Sequence, residues 1–179
     1  MGGRRLFFAA LGFCAAASAS AADECPLRAP EPLLRPGAYA AQTLSRQDGN
    51  EMQETAQLRP GLRIAIRQSS CVDAVTTSLT LQLPRDRRHE RTDDEWIDLA
   101  RAEIGKLRTA APPGRLSGVG EFLGKAHGLA PRRGERAICR DGTAPASGEC
   151  SWDSLGGYIF SVRRMRDTTV VSVTEYISA

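Results

Sequence analysis

Histidine and lysine are scarce: 179 residues carry two of each, His89 and His127, Lys106 and Lys125. No stretch spells a phosphate-binding loop, a dinucleotide fingerprint or a haem-attachment motif. His89-Glu90 opens like a zinc-protease helix, but position 93 is Asp, so the second histidine one turn on is missing. There is no Cys-x-x-Cys pair either, which leaves no ligand spacing for a structural zinc. Neither a metal nor a cofactor is expected. No internal repeat is visible, and after residue 22 no apolar run is long enough to span a membrane.

What is present begins with a leader-like N-terminus. Arg4 and Arg5 precede an apolar run from Leu6 to Ala19, and Ala17-Ser18-Ala19 and Ser20-Ala21-Ala22 both offer small-residue cleavage sites. We read residues 1–22 as a secretory signal peptide cleaved near Ala19 or Ala22. A lipid-attachment box at Leu11-Gly12-Phe13-Cys14 is disfavoured by the bulky Phe13. The formal charge of +3 falls to +1 without Arg4 and Arg5, so charge gives no case for nucleic acid as a partner. A periplasmic or secreted protein is expected, with residues 23–36 as an extended tail and 37–179 as one domain.

Four cysteines remain after the leader: Cys25, Cys71, Cys139 and Cys150. An even number in an exported chain points to two disulfides. Cys139 and Cys150 bracket a short polar loop and form the local pair, which leaves Cys25 for Cys71. Closing a loop of this size is worth roughly 3 kcal/mol in the chain-entropy view.

The clearest structural signal is a period of two across Gly61–Pro84. Leu62, Ile64 and Ile66 alternate with Arg63, Ala65 and Arg67; Val75, Thr77, Leu79, Leu81 and Leu83 alternate with Thr76, Ser78, Thr80 and Gln82. One face of such a pair is buried and the other wet. Weaker strands at 38–46 and 51–58, joined by a turn at Gln47-Asp48-Gly49-Asn50, complete a four-stranded meander. The period then changes. Thr92-Asp93-Asp94-Glu95 reads as a capping box, followed by Trp96, Ile97, Leu99, Ala100, Ile104 and Leu107 at helical spacing, which predicts a helix over about 93–110. The glycine-rich stretch 116–129 is balanced between a short helix and a loop, and 131–154 reads as a polar connection. A C-terminal hairpin follows, with Tyr158, Phe160 and Val162 outbound and Val171, Val173 and Ile177 returning. The expected fold is α+β: a roughly six-stranded antiparallel sheet, four-stranded meander plus hairpin, with one or two helices packed on one face.

Chemistry is sparse. Ser154 sits in a glycine-containing turn and His127 is a possible base, the ingredients of a small Ser/Cys hydrolase, but the strand–turn–helix context of a nucleophile elbow is absent. Asp93, Asp94 and Glu95 are explained by helix capping. The distinctive surface feature is arginine in loops: Arg85, Arg87, Arg88 and Arg91; Arg132, Arg133 and Arg136; Arg163, Arg164 and Arg166. Convergence of two clusters would make Arg87, Arg88, Arg132, Arg133, Arg163, Arg164 and Arg166 a site for an anionic envelope polymer or an acidic protein face. Ser154-Leu-Gly-Gly-Tyr158 resembles, over five residues, the loop that small periplasmic lysozyme inhibitors insert into their target. The expected function is therefore an exported, disulfide-stabilised, non-enzymatic protein that binds a macromolecular partner, inhibitor- or immunity-like. A carrier of a small apolar ligand and a secreted hydrolase are the alternatives.

Overall fold

The computed structural model describes residues 29–47, 49–71, 74–86, 90–111, 116–145, 150 and 156–178. Strands β1 (Ala40–Gln47), β2 (Glu51–Arg59), β3 (Leu62–Cys71) and β4 (Ala74–Pro84) form the expected meander. Helices α1 (Asp93–Gly105) and α2 (Ser117–Ala126) follow, then β5 (Glu135–Cys139), β6 (Gly157–Arg164) and β7 (Thr168–Ser178). All seven strands belong to one open antiparallel sheet in the order β1-β2-β3-β4-β7-β6-β5. The class is α+β, with seven strands where six were expected. The extra one is β5, whose two-residue turn at Arg133-Gly134 returns the chain from Arg132 to Glu135 inside the supposed polar connection.

The alternation in β3 and β4 does what period-two patterning requires. Ile64 pairs with Leu81 and Ile66 with Leu79, and these continue into Val171 and Val173 of β7 and Phe160 of β6. All seven are buried in one apolar cluster with Trp96, Ile97, Ala100 and Ile104 of α1 and Val119, Phe122, Leu123 and Ala126 of α2. Both helices therefore cover the same sheet face.

The capping box forms as read: the Thr92 hydroxyl accepts from the Glu95 amide at 3.3 Å, and the Glu95 carboxylate accepts from the Thr92 amide at 2.7 Å. The helix is shorter than expected, ending at Gly105 instead of about 110. The reason is tertiary: residues 108–110 are taken by the 33–35 segment, with Arg35 N donating to Arg108 O and Ala110 N to Leu33 O, each at 2.9 Å. That segment belongs to the stretch read as a tail, yet Leu33 and Leu34 are fully buried. Glu54, itself buried on the helix-covered face of β2, accepts from Leu33 N at 2.7 Å and Leu34 N at 2.9 Å. Two consecutive main-chain donors thus find a partner that a buried strap would otherwise lack.

Candidate functional site

Of the candidates for a Ser/His hydrolase, only His127 falls among the described residues. His127 terminates α2, stands half exposed, and has its Nε2 3.8 Å from Asp98 Oδ2, too long for a hydrogen bond. Ser154 lies outside the described residues, as do His89, Arg87, Arg88 and Cys25. Among the described residues no three His, Cys, Asp or Glu side chains gather as a metal cluster would require. Among the described residues, helices and sheet share one apolar core. One cleft, of about 480 Å³, opens between α1 and α2 over Ile104, Leu107 and Leu116.

Cys139 and Cys150 form the expected disulfide. Its sulfur lies over Gly157, where an added Cβ would stand 2.8 Å from Cys150 Sγ and 2.8 Å from the Ile138 carbonyl. Gly156-Gly157 is thus required by close approach of the cross-link and of β7. Cys71 is a free, exposed thiol at the end of β3. The described part of the inhibitor-like pentapeptide lies within the sheet: the Tyr158 ring stacks on Phe122 at 5.1 Å, and its hydroxyl donates to Glu175 at 2.8 Å. Burial first, then the neighbouring Glu175 carboxylate, pushes the Tyr158 phenol up to about 12.

The arginine clusters divide by role. Arg164 ties the β6–β7 turn to the segment before α1, with Nη2 2.9 Å from Asp93 Oδ1 and 3.2 Å from the Arg91 carbonyl, and Nε 3.3 Å from Glu90. Arg85 joins the same knot through Glu90 at 2.8 Å and the Met165 carbonyl at 3.1 Å. The first and third clusters therefore do meet, as structural ties balanced by acids. Arg136 is buried, bonded to Asp94 and, at 3.0 Å, to the Ala126 carbonyl. Arg132 and Arg166 also have interaction partners, and Arg133 occupies the turn before β5 with φ 50°.

Arg163 differs. It points to the sheet face opposite the helices, in a cross-strand row that runs Gln57, Arg63, Gln82, Val170, Arg163. Neither Arg63 nor Arg163 shows a side-chain partner among the described residues, and both are exposed. Three strand spacings, roughly 14 Å, separate them. Elsewhere this face is mixed: Ser78 and Thr174 share a hydrogen bond at 3.0 Å, Thr43 and Thr55 one at 2.7 Å, and Arg67 is neutralised by Glu51 at 2.6 Å, while Ile159 and Tyr176 lie toward the end where Cys150 N donates to the Tyr176 hydroxyl. Among the described residues no helix or strand packs on it. The alternation that turned Arg63, Ala65 and Arg67 away from the core was legible in the sequence. Their alignment with β2, β4 and β7 was not, because register across strands is a tertiary property.

No protein-family model, curated protein or solved structure matches this chain. No described helix is long and apolar enough to cross a membrane.

Proposed function

We propose that this is an exported, non-enzymatic binding protein that engages an anionic macromolecule of the cell envelope through the helix-free face of its sheet. The observation that carries the reading is the row containing Arg63 and Arg163, two cations without a side-chain partner among the described residues, on the sheet face that no described helix or strand covers. An antiparallel sheet needs only one face covered to be stable, so the other is available for recognition. Export is supported by the leader-like residues 1–22 and agrees with the Cys139–Cys150 bond. The arginines of the turns hold the fold together, and the contact passes to those on the strands.

The test is site-specific photocrosslinking in the native host. A crosslinker at Gln82 should give discrete adducts that weaken on Arg63→Gln and Arg163→Gln substitution; the same probe at Asp98, on α1, should give none. Equal adducts from both sites, or none from Gln82, would refute the reading.

The α1–α2 cleft favours a second reading, in which a small amphipathic molecule rests on Ile104, Leu107 and Leu116. Gly120 lines it with open space where a side chain would stand. Gly120→Leu should then abolish binding of a fluorescent apolar probe, and unchanged binding would remove this alternative.

A further inference from the structure

On the open face, Ala65 is a short side chain surrounded by long ones. Gln57, Arg63 and Gln82 form the cross-strand row on one side, Gln53 and Arg67 pair on the other, and Thr55 stands beside it on β2. The result is a trough of about 310 Å³ whose edge on β1 is lowered by Ala41 in the bulge between Ala40 and Thr43. This is near the low end of the roughly 300–1,000 Å³ range of small-ligand sites. The three glutamine amides have no side-chain partner among the described residues, and each offers donors and an acceptor. Arg63 is the trough's lining cation, and no carboxylate of the described residues offsets it.

We infer that this trough is a subsite for an acidic saccharide: one unit of a carboxylate-bearing glycan, with its carboxylate on Arg63 and its hydroxyl groups on Gln53, Gln57 and Gln82. The inference rests on the proposed envelope-binding role and names the chemistry of the partner. Sugar hydroxyls both donate and accept, which matches carboxamides better than it matches charged groups. A guanidinium pairs with a carboxylate through two parallel hydrogen bonds, fixing the orientation of the ring. An acidic protein face would call for several free cations and an apolar or aromatic anchor. Here Arg67 is already neutralised by Glu51, and the floor is alanine. A nucleic-acid strand would want aromatic platforms for its bases, which the trough also lacks.

The experiment is a titration of the isotopically labelled full chain with trigalacturonate, its methyl ester and inorganic phosphate, followed by NMR. Trigalacturonate should shift the side-chain amides of Gln53, Gln57 and Gln82 and the Arg63 guanidinium. The uncharged ester and Arg63→Gln should each weaken binding at least tenfold. Ala65→Leu, which fills the floor from the solvent side, should abolish it without changing the melting temperature. Should either variant fail to fold, Gln57→Ala and Gln82→Ala take its place, each expected to weaken binding several-fold. Equal binding of acid and ester, phosphate shifting the same groups as strongly, shifts confined to other surfaces, or indifference to the substitutions would each overturn the assignment. If trigalacturonate is refused while the Gln82 crosslinker still captures an envelope partner, the saccharide assignment falls and the binding role stands.

Discussion

Arg136 donates to the Asp94 carboxylate and to the Ala126 carbonyl, so one buried side chain on the edge strand β5 holds the start of α1 against the end of α2. The helix layer is thereby locked to a strand with no apolar run to announce it.

This lock should be sensitive to acid. The hydrogen bond from Arg136, then that from the Gly128 amide, holds the Asp94 carboxyl below its ordinary 3.8. A pKa lowered by folding contributes stability that is fully present above the unfolded value and is lost as pH falls through the folded one. The melting temperature should therefore hold from neutrality to about pH 5 as far as this pair is concerned, and decline below about pH 4. Asp94→Asn should lower it at pH 7 and flatten that decline. Thermal melts across the acid range check this, and parallel curves for parent and variant would contradict it.

Glu54 offers a larger effect. Its two oxygens satisfy Leu33 N and Leu34 N inside the fold, so Glu54→Ala strands two buried donors. The expected loss is about 3 kcal/mol, taking about 1.5 kcal/mol for each of the two hydrogen bonds. Denaturant titration measures it. Limited proteolysis should show new cutting near residues 29–36, and an unchanged digestion pattern would argue against the strap.

Arg133 bears the opposite sign. Its φ of 50° is a left-handed conformation that arginine adopts at a cost and asparagine or glycine adopts readily. Arg133→Asn should stabilise by about 0.5–1 kcal/mol, at the modest end of such substitutions. A lower denaturation midpoint would mean that the side chain makes a compensating contact.

Cys71 is free in the structure, and its expected partner Cys25 lies outside the described residues. The Gln68 side chain donates to the Glu31 carbonyl at 2.9 Å, so the chain enters the fold three residues along β3 from Cys71. Six residues lead back from Glu31 to Cys25, and that length can extend roughly 20 Å. We expect Cys25–Cys71 in the exported protein, together with a mature N-terminus at residue 20 or 23. Mass spectrometry of non-reduced peptides gives both answers at once. A Cys71 thiol that is fully alkylatable in protein recovered from the envelope would rule the bond out.

Sequence signals failed where a residue's fate depended on distant partners. Pro131 to Ser154 reads as polar because β5 lies at the edge, is five residues long, and directs a buried charge inward in place of an aliphatic side chain. The α1 pattern runs past Gly105 because Leu107 is also apolar, yet residues 108–110 pair with the strap. For 116–129 the glycines left helix and loop balanced; α2 forms with Val119, Phe122, Leu123 and Ala126 buried in the core, and Gly118 sits where a Cβ would collide with the Tyr158 hydroxyl. Among the expected binding residues, Arg163 alone remains on the open face without a partner among the described residues.

The residues by themselves determined the elements whose cause is local or periodic. The Thr92 capping box, the β3–β4 alternation and the Cys139–Cys150 loop each follow from neighbours in the chain and needed no fold to be read. Tertiary structure decided which polar side chains were consumed and which were left over. Arg164 and Arg136 were consumed by carboxylates that sequence distance had hidden, and Arg63 was left beside Ala65 and three glutamines. Charge balance and surface shape are properties of neighbours in space, and register across strands sets them here.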